Sequence, residues 1–210
     1  MTNLLDTLSN YRHYSQDNGR VPGWQIGMGR GMDPRQTCIA IMLGSQPCTV
    51  TDLGCADGSL LILLHSIGHL LRGYGADLWE AGISWGRKYC FDKNLPIDLA
   101  FGSIEFYSGP RTDVCILGEV LEHVVDPVGV LQVAARQADT VIVTVPIARP
   151  PLTPDECARL ATEPDEHVRA YTRTMLFSQA EAAGLVCAFP AVEVGQGWVS
   201  LVACLNHKGR

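Results

Sequence analysis

The chain has 210 residues, 47% of them hydrophobic and 18% charged, and carries a formal net charge of −6. That length suits one hydrophobic core rather than two domains, and a sparse, negative charge balance disfavours an extended nucleic acid as partner. Apolar runs such as Leu60 to Leu64 are too short to cross a bilayer, and the eight cysteines show neither a C-x-x-C pair nor zinc-like spacing.

Read in chain order, the opening Met1-Thr-Asn-Leu-Leu-Asp is not a secretory signal. Together with cysteines that read as buried, reduced thiols, it sets the expectation of a soluble protein of the cytoplasm. Residues 1–46 combine a short amphipathic start at Leu4, Leu5 and Leu8 with Tyr11, His13, Tyr14 and Trp24, then the glycine and methionine series from Gly23 to Met32. Glycine density of that kind argues against regular structure and predicts a flap in front of a domain over residues 47–210.

From Thr49 onward, β-branched runs alternate with helical segments, the pattern of a parallel sheet flanked by helices. Strands are expected at Thr49 to Leu53, Leu71 to Ala76, Ile97 to Phe101, Val114 to Leu117 and Thr140 to Val145. Helices are expected near Ser59 to His69, Ala81 to Lys93 and Val128 to Ala138. A proline-rich connection over Arg149 to Pro164 leads to a helix from Thr174 to Ala183, stopped by Gly184. Two apolar runs, Leu185 to Val194 and Trp198 to Cys204, flank Gly195-Gln-Gly197 and read as an antiparallel hairpin. The fold class is α/β, a doubly wound and mostly parallel seven-stranded sheet ending in that hairpin.

The first crossover carries the cofactor signal. Val50-Thr-Asp-Leu-Gly-Cys-Ala-Asp-Gly58 is a buried strand ending in a glycine turn that opens a helix, and open α/β sheets bind ligands at the carboxyl ends of their strands. A side chain at Gly54 or Gly58 would hold a ligand off the backbone. Leu71-Arg-Gly-Tyr-Gly-Ala-Asp77 is a second strand ending in an acid, placed to accept both ribose hydroxyls. A dinucleotide site wants G-x-G-x-x-G, but the frame from Gly54 gives Gly54, Ala56 and Ser59. Asp52 and Asp57 would repel a pyrophosphate and suit a ligand carrying a sulfonium and an ammonium. S-adenosylmethionine fits that description.

These segments resemble class I S-adenosylmethionine-dependent methyltransferases of Rossmann-like fold. Val50 to Gly58 is similar to their first motif, which usually has glycine where this chain has Ala56. Gly75-Ala-Asp-Leu-Trp79 is similar to the second, and Asp113 to Pro127 and Thr140 to Pro146 resemble the fourth and fifth strand segments. The resemblance implies that Asp52, Gly54, Cys55 and Gly58 surround the methionine moiety, that Asp77 holds the ribose, and that Leu78 or Trp79 lies against adenine. It places Ser103 where the family often has an aspartate for the adenine amino group, and Gly118 beside the sulfonium.

Glu119-Val-Leu-Glu-His123 follows the fourth strand. In a helical turn, Glu119, Glu122 and His123 would share one face, and His167 could reach the same edge to complete four ligands. Such a set suits magnesium, manganese or zinc, which would lower the pKa of an acceptor hydroxyl. The cluster resembles that of ubiquinone-pathway O-methyltransferases and of enzymes that methylate small-RNA ends. A metal-free alternative has His123 or His167 as general base with Glu119 beside it, and a third has the cluster serving only the helix start. The leading expectation is O-methylation of a small molecule such as a sugar or phenol. RNA 3′-terminal ribose 2′-O-methylation and non-catalytic cofactor or partner binding are the alternatives.

Overall fold

Asp33 opens a helix that the glycine-rich stretch before it conceals. Its carboxylate Oδ1 accepts the Gln36 N–H at 2.9 Å, and the Gln36 side chain accepts the Asp33 N–H at 3.0 Å. This reciprocal cap, with Pro34 in the first turn, fixes the start of α1 (Pro34–Leu43). The computed structural model describes residues 32–147, 169, 171–195 and 200–209. Most of the expected flap, residues 1–31, lies outside them, but residues 34–43 of it are helical.

Seven further segments follow as β1 (Cys48–Leu53), α2 (Ser59–Ser66), β2 (Leu70–Asp77), α3 (Glu80–Asp92), β3 (Ile97–Phe101), a 3₁₀ turn (Ile104–Phe106) and β4 (Thr112–Gly118). Then come α4 (Pro127–Gln137), β5 (Ala138–Pro146), α5 (Arg173–Ala182), β6 (Leu185–Cys187), β7 (Val192–Val194) and β8 (Ser200–His207). The first five strands pair in parallel in the order β3-β2-β1-β4-β5, and β8 runs antiparallel beside β5. The chain order reverses between β1 and β4, so the carboxyl ends of those two strands flank the crevice where α/β sheets bind ligands.

Side chains alternate across the strands and divide the core in two. Val114 and Ile116 of β4, Ile142 of β5 and Val202 of β8 pack with α1, α2 and α3, through Ile39, Leu61 and Ile83 among others. Cys115, Leu117, Val141, Val143 and Leu201 point the other way, onto Val130, Leu131 and Leu176 of α4 and α5. Helix α1 therefore covers the β5–β8 part of one face, which would otherwise expose Ile142 and Val202.

Among the described residues the sheet has eight strands rather than the expected seven. The run Leu185 to Val194 divides into β6 and β7, both paired with β8, where the pairs Cys187 with Leu205 and Val192 with Val202 leave two extra residues on the outer strand. Pro190 sits in that interruption, and proline has no N–H to give a ladder. The expected helical turn at Glu119–His123 is also absent: Glu119 has φ +55° and a turn covers residues 121–123.

Candidate active site

The turn after β1 holds three residues with positive φ within five positions: Gly54 (86°), Ala56 (52°) and Gly58 (79°). A Cβ on Gly54 would lie 2.4 Å from Val120 Cγ2, and one on Gly58 would lie 2.8 Å from Leu99 Cδ1, so glycine is required at both. At Ala56 the left-handed backbone costs about 1–2 kcal/mol for a residue with a Cβ, which is the physical content of a glycine being usual there. The N–H groups of Gly54 and Cys55 both donate to the Ala76 carbonyl, at 2.8 and 3.2 Å, tying the turn to β2.

Asp77 completes that tie. Its Oδ2 accepts the Ala56 N–H at 2.8 Å and its Oδ1 accepts the Trp79 N–H at 2.7 Å. Charge-assisted bonds to two amides fix the carboxylate plane at the wall of a cavity of about 690 Å³, a size typical of small-molecule sites. Gly54, Cys55, Leu78, Ser103 and Gly118 line the same cavity. Gly118 faces open space, with no atom within 4 Å of where a Cβ would stand. The Ser103 hydroxyl accepts the Glu105 N–H at 3.4 Å and caps the 3₁₀ turn.

Two expected cofactor residues sit elsewhere. Trp79 is only 2% exposed, and its indole covers Gly82, where a Cβ would meet the ring at 2.2 Å. Leu78, not Trp79, is the apolar side chain beside Asp77 that reaches the cavity. Gly58 is absent from the wall and instead lets the start of α2 lie over Leu99.

The acids of the first motif differ from one another. Asp57 is engaged at the start of α2: its Oδ1 accepts the Ser59 N–H at 3.0 Å and also the Ser59 hydroxyl. Asp52 is 3% exposed, faces the cavity, and accepts no side-chain hydrogen bond from a described residue. Burial, then the charge of Asp77, pushes its carboxyl up to about 7. The same burial and acids push the Cys55 thiol well above its usual range, so Cys55 meets the cavity as a neutral thiol.

Across the cavity, Glu119 takes its unusual backbone because its N–H is held by Thr144, donating to the carbonyl at 2.9 Å and to the hydroxyl oxygen at 3.1 Å. The Thr144 hydroxyl donates back to Glu119 Oε1 at 2.9 Å. Glu119 Oε2 lies 3.4 Å from an Arg35 nitrogen, and Arg35 also reaches Asp33 at 3.1 Å. His123 lines the cavity, with Nε2 at 3.6 Å from Glu122 Oε1. Glu122 is wholly buried, neither carboxyl oxygen accepts a hydrogen bond from a described residue, and burial with the nearby Glu119 charge raises its pKa well above the usual range.

The expected metal set is therefore not assembled by the described residues. Among them no group of three His, Cys, Asp or Glu is placed to hold a metal ion. The loss of the helical turn is the reason: it sends Glu122 into the core and commits Glu119 to Thr144 and Arg35. His167, the fourth expected ligand and an alternative base, lies outside the described residues.

A family model described as methionine biosynthesis protein MetW matches residues 35–148, more than half of the 210 residues. The chain belongs to the MetW family. The match contains every cavity residue named above except Asp33. A ubiquinone biosynthesis O-methyltransferase of Thiobacillus denitrificans is 31% identical over 90 residues, which are 41% of this chain and 38% of that protein. Magnesium protoporphyrin IX methyltransferase of Synechocystis PCC 6803, solved with bound S-adenosylhomocysteine, superposes with a TM-score of 0.69 at 17% identity, covering 96% of this chain and 94% of its own. NcsB1, an O-methyltransferase from neocarzinostatin biosynthesis, superposes with a TM-score of 0.62 at 23% identity, over 82% of this chain and 53% of its own. The fold is that of class I S-adenosylmethionine-dependent methyltransferases.

Beyond the MetW match lies a clamp that the sequence reading missed. The Arg169 guanidinium donates to the carbonyls of Leu121 (2.6 Å), Val124 and Val125 (3.1 Å). The buried Tyr171 hydroxyl donates to Gln179 Oε1 at 2.8 Å, and Leu121 O lies 3.3 Å from it. These residues hold the turn that carries His123. Arg35 was also missed, although Asp33-Pro34-Arg35-Gln36 has the spacing of a capping box and would have placed it in a first helical turn.

Proposed function

We propose that this MetW-family chain transfers a methyl group from S-adenosylmethionine to a hydroxyl of a small molecule such as a sugar or phenol. The observation that carries the donor assignment is the buried Asp52 carboxylate turned into the cavity beside a fixed Asp77. An anion there attracts a cationic ligand and repels a pyrophosphate. When bound, S-adenosylmethionine supplies a methyl group made electrophilic by its sulfonium. Asp77 would accept from the ribose hydroxyls, Leu78 and Ser103 would meet the adenine, and Arg35 with Asp52 would meet the carboxylate and charged nitrogen of the methionine tail.

At the acceptor end, His123 is the residue positioned to take a hydroxyl proton. The Arg169 clamp and the Thr144–Glu119 pair hold its turn, so the main catalytic contribution is alignment of nucleophile and methyl. A small acceptor agrees with a cavity of about 690 Å³, and O-methylation agrees with the Thiobacillus and NcsB1 likenesses. These steps are assigned to His123 and to the groups that hold its turn, and none is routed through a metal ion.

The test is transfer of labelled methyl from S-adenosylmethionine to a panel of sugars, phenols, amines and RNA 3′ ends. Incorporation into hydroxyl compounds is expected, and His123→Ala should lower kcat about 10²- to 10⁴-fold while leaving donor affinity within about twofold. Transfer to amines alone, or an unaffected His123→Ala enzyme, would contradict the reading.

A further inference from the structure

The cavity is lopsided in charge. Among the described residues six acids line it, Asp33, Asp52, Asp57, Asp77, Glu105 and Glu119, against one guanidinium, that of Arg35, and the imidazole of His123. Arg35 is already engaged, with Asp33 Oδ2 at 3.1 Å and Glu119 Oε2 at 3.4 Å from its nitrogens. The carboxylate of a bound methionine tail would be a third anion on the same group. S-adenosylmethionine, with a sulfonium, an ammonium and a carboxylate, brings a single net positive charge. The wall therefore stays negative around a bound donor, even with Asp52 neutral.

These acids do not stand on one side. Asp77 is held by two amides and Asp57 by Ser59, both beside the β1 turn. Asp33 comes in with α1, which packs on β5 and β8, and its neighbour Arg35 meets Glu119 on the turn that carries His123. Of the acids on Arg35, Asp33 is the more open, its side chain 36% exposed against 18% for Glu119. Its oxygens accept from the Gln36 N–H and from Arg35, and a carboxylate has lone pairs for further donors. We propose that the acceptor is a hydroxyl compound that also carries a protonated amine, and that Asp33 is the residue that selects it. This rests on the methyl-transfer reading above and names its acceptor class.

An ammonium held by a carboxylate keeps its proton and has no lone pair to give, so the nucleophile is the hydroxyl. Its oxygen lone pair forms the new O–C bond, the C–S electron pair stays on sulfur, and the hydroxyl proton goes to His123. A carboxylate or phosphate in place of the ammonium would face Asp33 and Glu119 with Arg35 already occupied, a like-charge contact that selects against it. A cleft lined by one sign of charge also raises the encounter rate of oppositely charged ligands by about 10- to 10³-fold, an effect that salt weakens.

The test is methyl transfer by the full chain at pH 7 to two series of acceptors matched in skeleton: tyramine, tyrosol and 4-hydroxyphenylacetate, and glucosamine, glucose and glucuronate. In at least one series kcat/KM should be highest for the amine and lowest for the carboxylate, spanning about tenfold or more, with the label on oxygen. That span should narrow between about 20 mM and about 300 mM salt. Asp33→Asn, which keeps a comparable cap on α1, should shrink the amine-to-carboxylate ratio about fivefold. An equal loss on all three members would make Asp33 structural only and overturn its role. Because the ranking is read on the natural chain, the acceptor class is tested even if that variant folds poorly. A ranking led by the neutral or carboxylate member, label on nitrogen, or no transfer to any member by a chain that binds S-adenosylmethionine overturns the acceptor class while leaving the donor assignment intact. Failure to bind S-adenosylmethionine overturns the methyl-transfer reading itself.

Discussion

Asp52 also leaves a mark on stability. In the unfolded chain its carboxyl titrates near the ordinary 3.8, whereas in the fold burial and Asp77 hold it up at about 7. The folded state then binds more protons than the unfolded one between those values, so this group contributes most to stability below pH 4. That contribution falls as pH rises and is fully lost above about 7. Asp52→Asn, which cannot ionise, should be more stable than the natural chain at pH 8 by on the order of 2–4 kcal/mol, with the difference gone at pH 4. Denaturant unfolding at the two pH values measures it, and equal stability at pH 8 would show that Asp52 is not desolvated. Much of the wall of the cavity was legible at this scale. Asp52, Gly54 and Asp77 sit at strand ends, where chemistry and backbone geometry follow from local sequence. Gly58 was assigned to the ligand for the right conformation but the wrong contact, because only the packed structure shows Leu99 beneath it. Trp79 failed for a similar reason: whether a large aromatic faces a cavity or the core depends on what packs over it, here Gly82 of α3.

Among the elements, the turn from Glu119 to Val125 decides how the acceptor end works. It has no helical hydrogen-bond ladder, and Arg169 replaces one by satisfying three of its carbonyls. Arg169→Ala should destabilise the fold by about 1.5–3 kcal/mol, the usual range for charged hydrogen bonds. It should also lower kcat more than about tenfold by misplacing His123, with donor affinity unchanged within about twofold. Paired melting and steady-state kinetics read this out, and a variant with full kcat would remove the clamp from the mechanism. No local pattern in the sequence announces the clamp, since Arg169 lies 44 to 48 residues from the carbonyls it holds. The turn itself was misread because Glu119 to His123 has sound helical spacing, while the tertiary bonds to Thr144 pull Glu119 into a left-handed backbone. Helix α1 was hidden by the glycines before it, although its capping box was present. The interruption between β6 and β7 could be read from Pro190.

At the scale of the whole molecule, the alternation of β-branched runs and helices was sufficient to place the five parallel strands and three of the helices between and after them. Burial on both faces leaves apolar runs little freedom to be anything else. What the pattern could not supply is the third dimension of the acceptor end, where α1, the β4 turn and the residues before α5 meet from three distant parts of the chain. Their meeting place is set by the sheet order, which brings β1 next to β4 and so gathers Asp52, Gly118 and Glu119 around one crevice. The central claim is that this crevice binds S-adenosylmethionine through the Asp77-locked turn. Isothermal titration of the natural chain and of Asp77→Asn with S-adenosylmethionine at pH 7.5 tests it most directly. Saturable one-to-one binding by the natural chain, weakened about 10- to 100-fold in the variant by loss of charge-assisted hydrogen bonds, is the predicted result; no binding by the natural chain, or equal affinity of the two proteins, would contradict it.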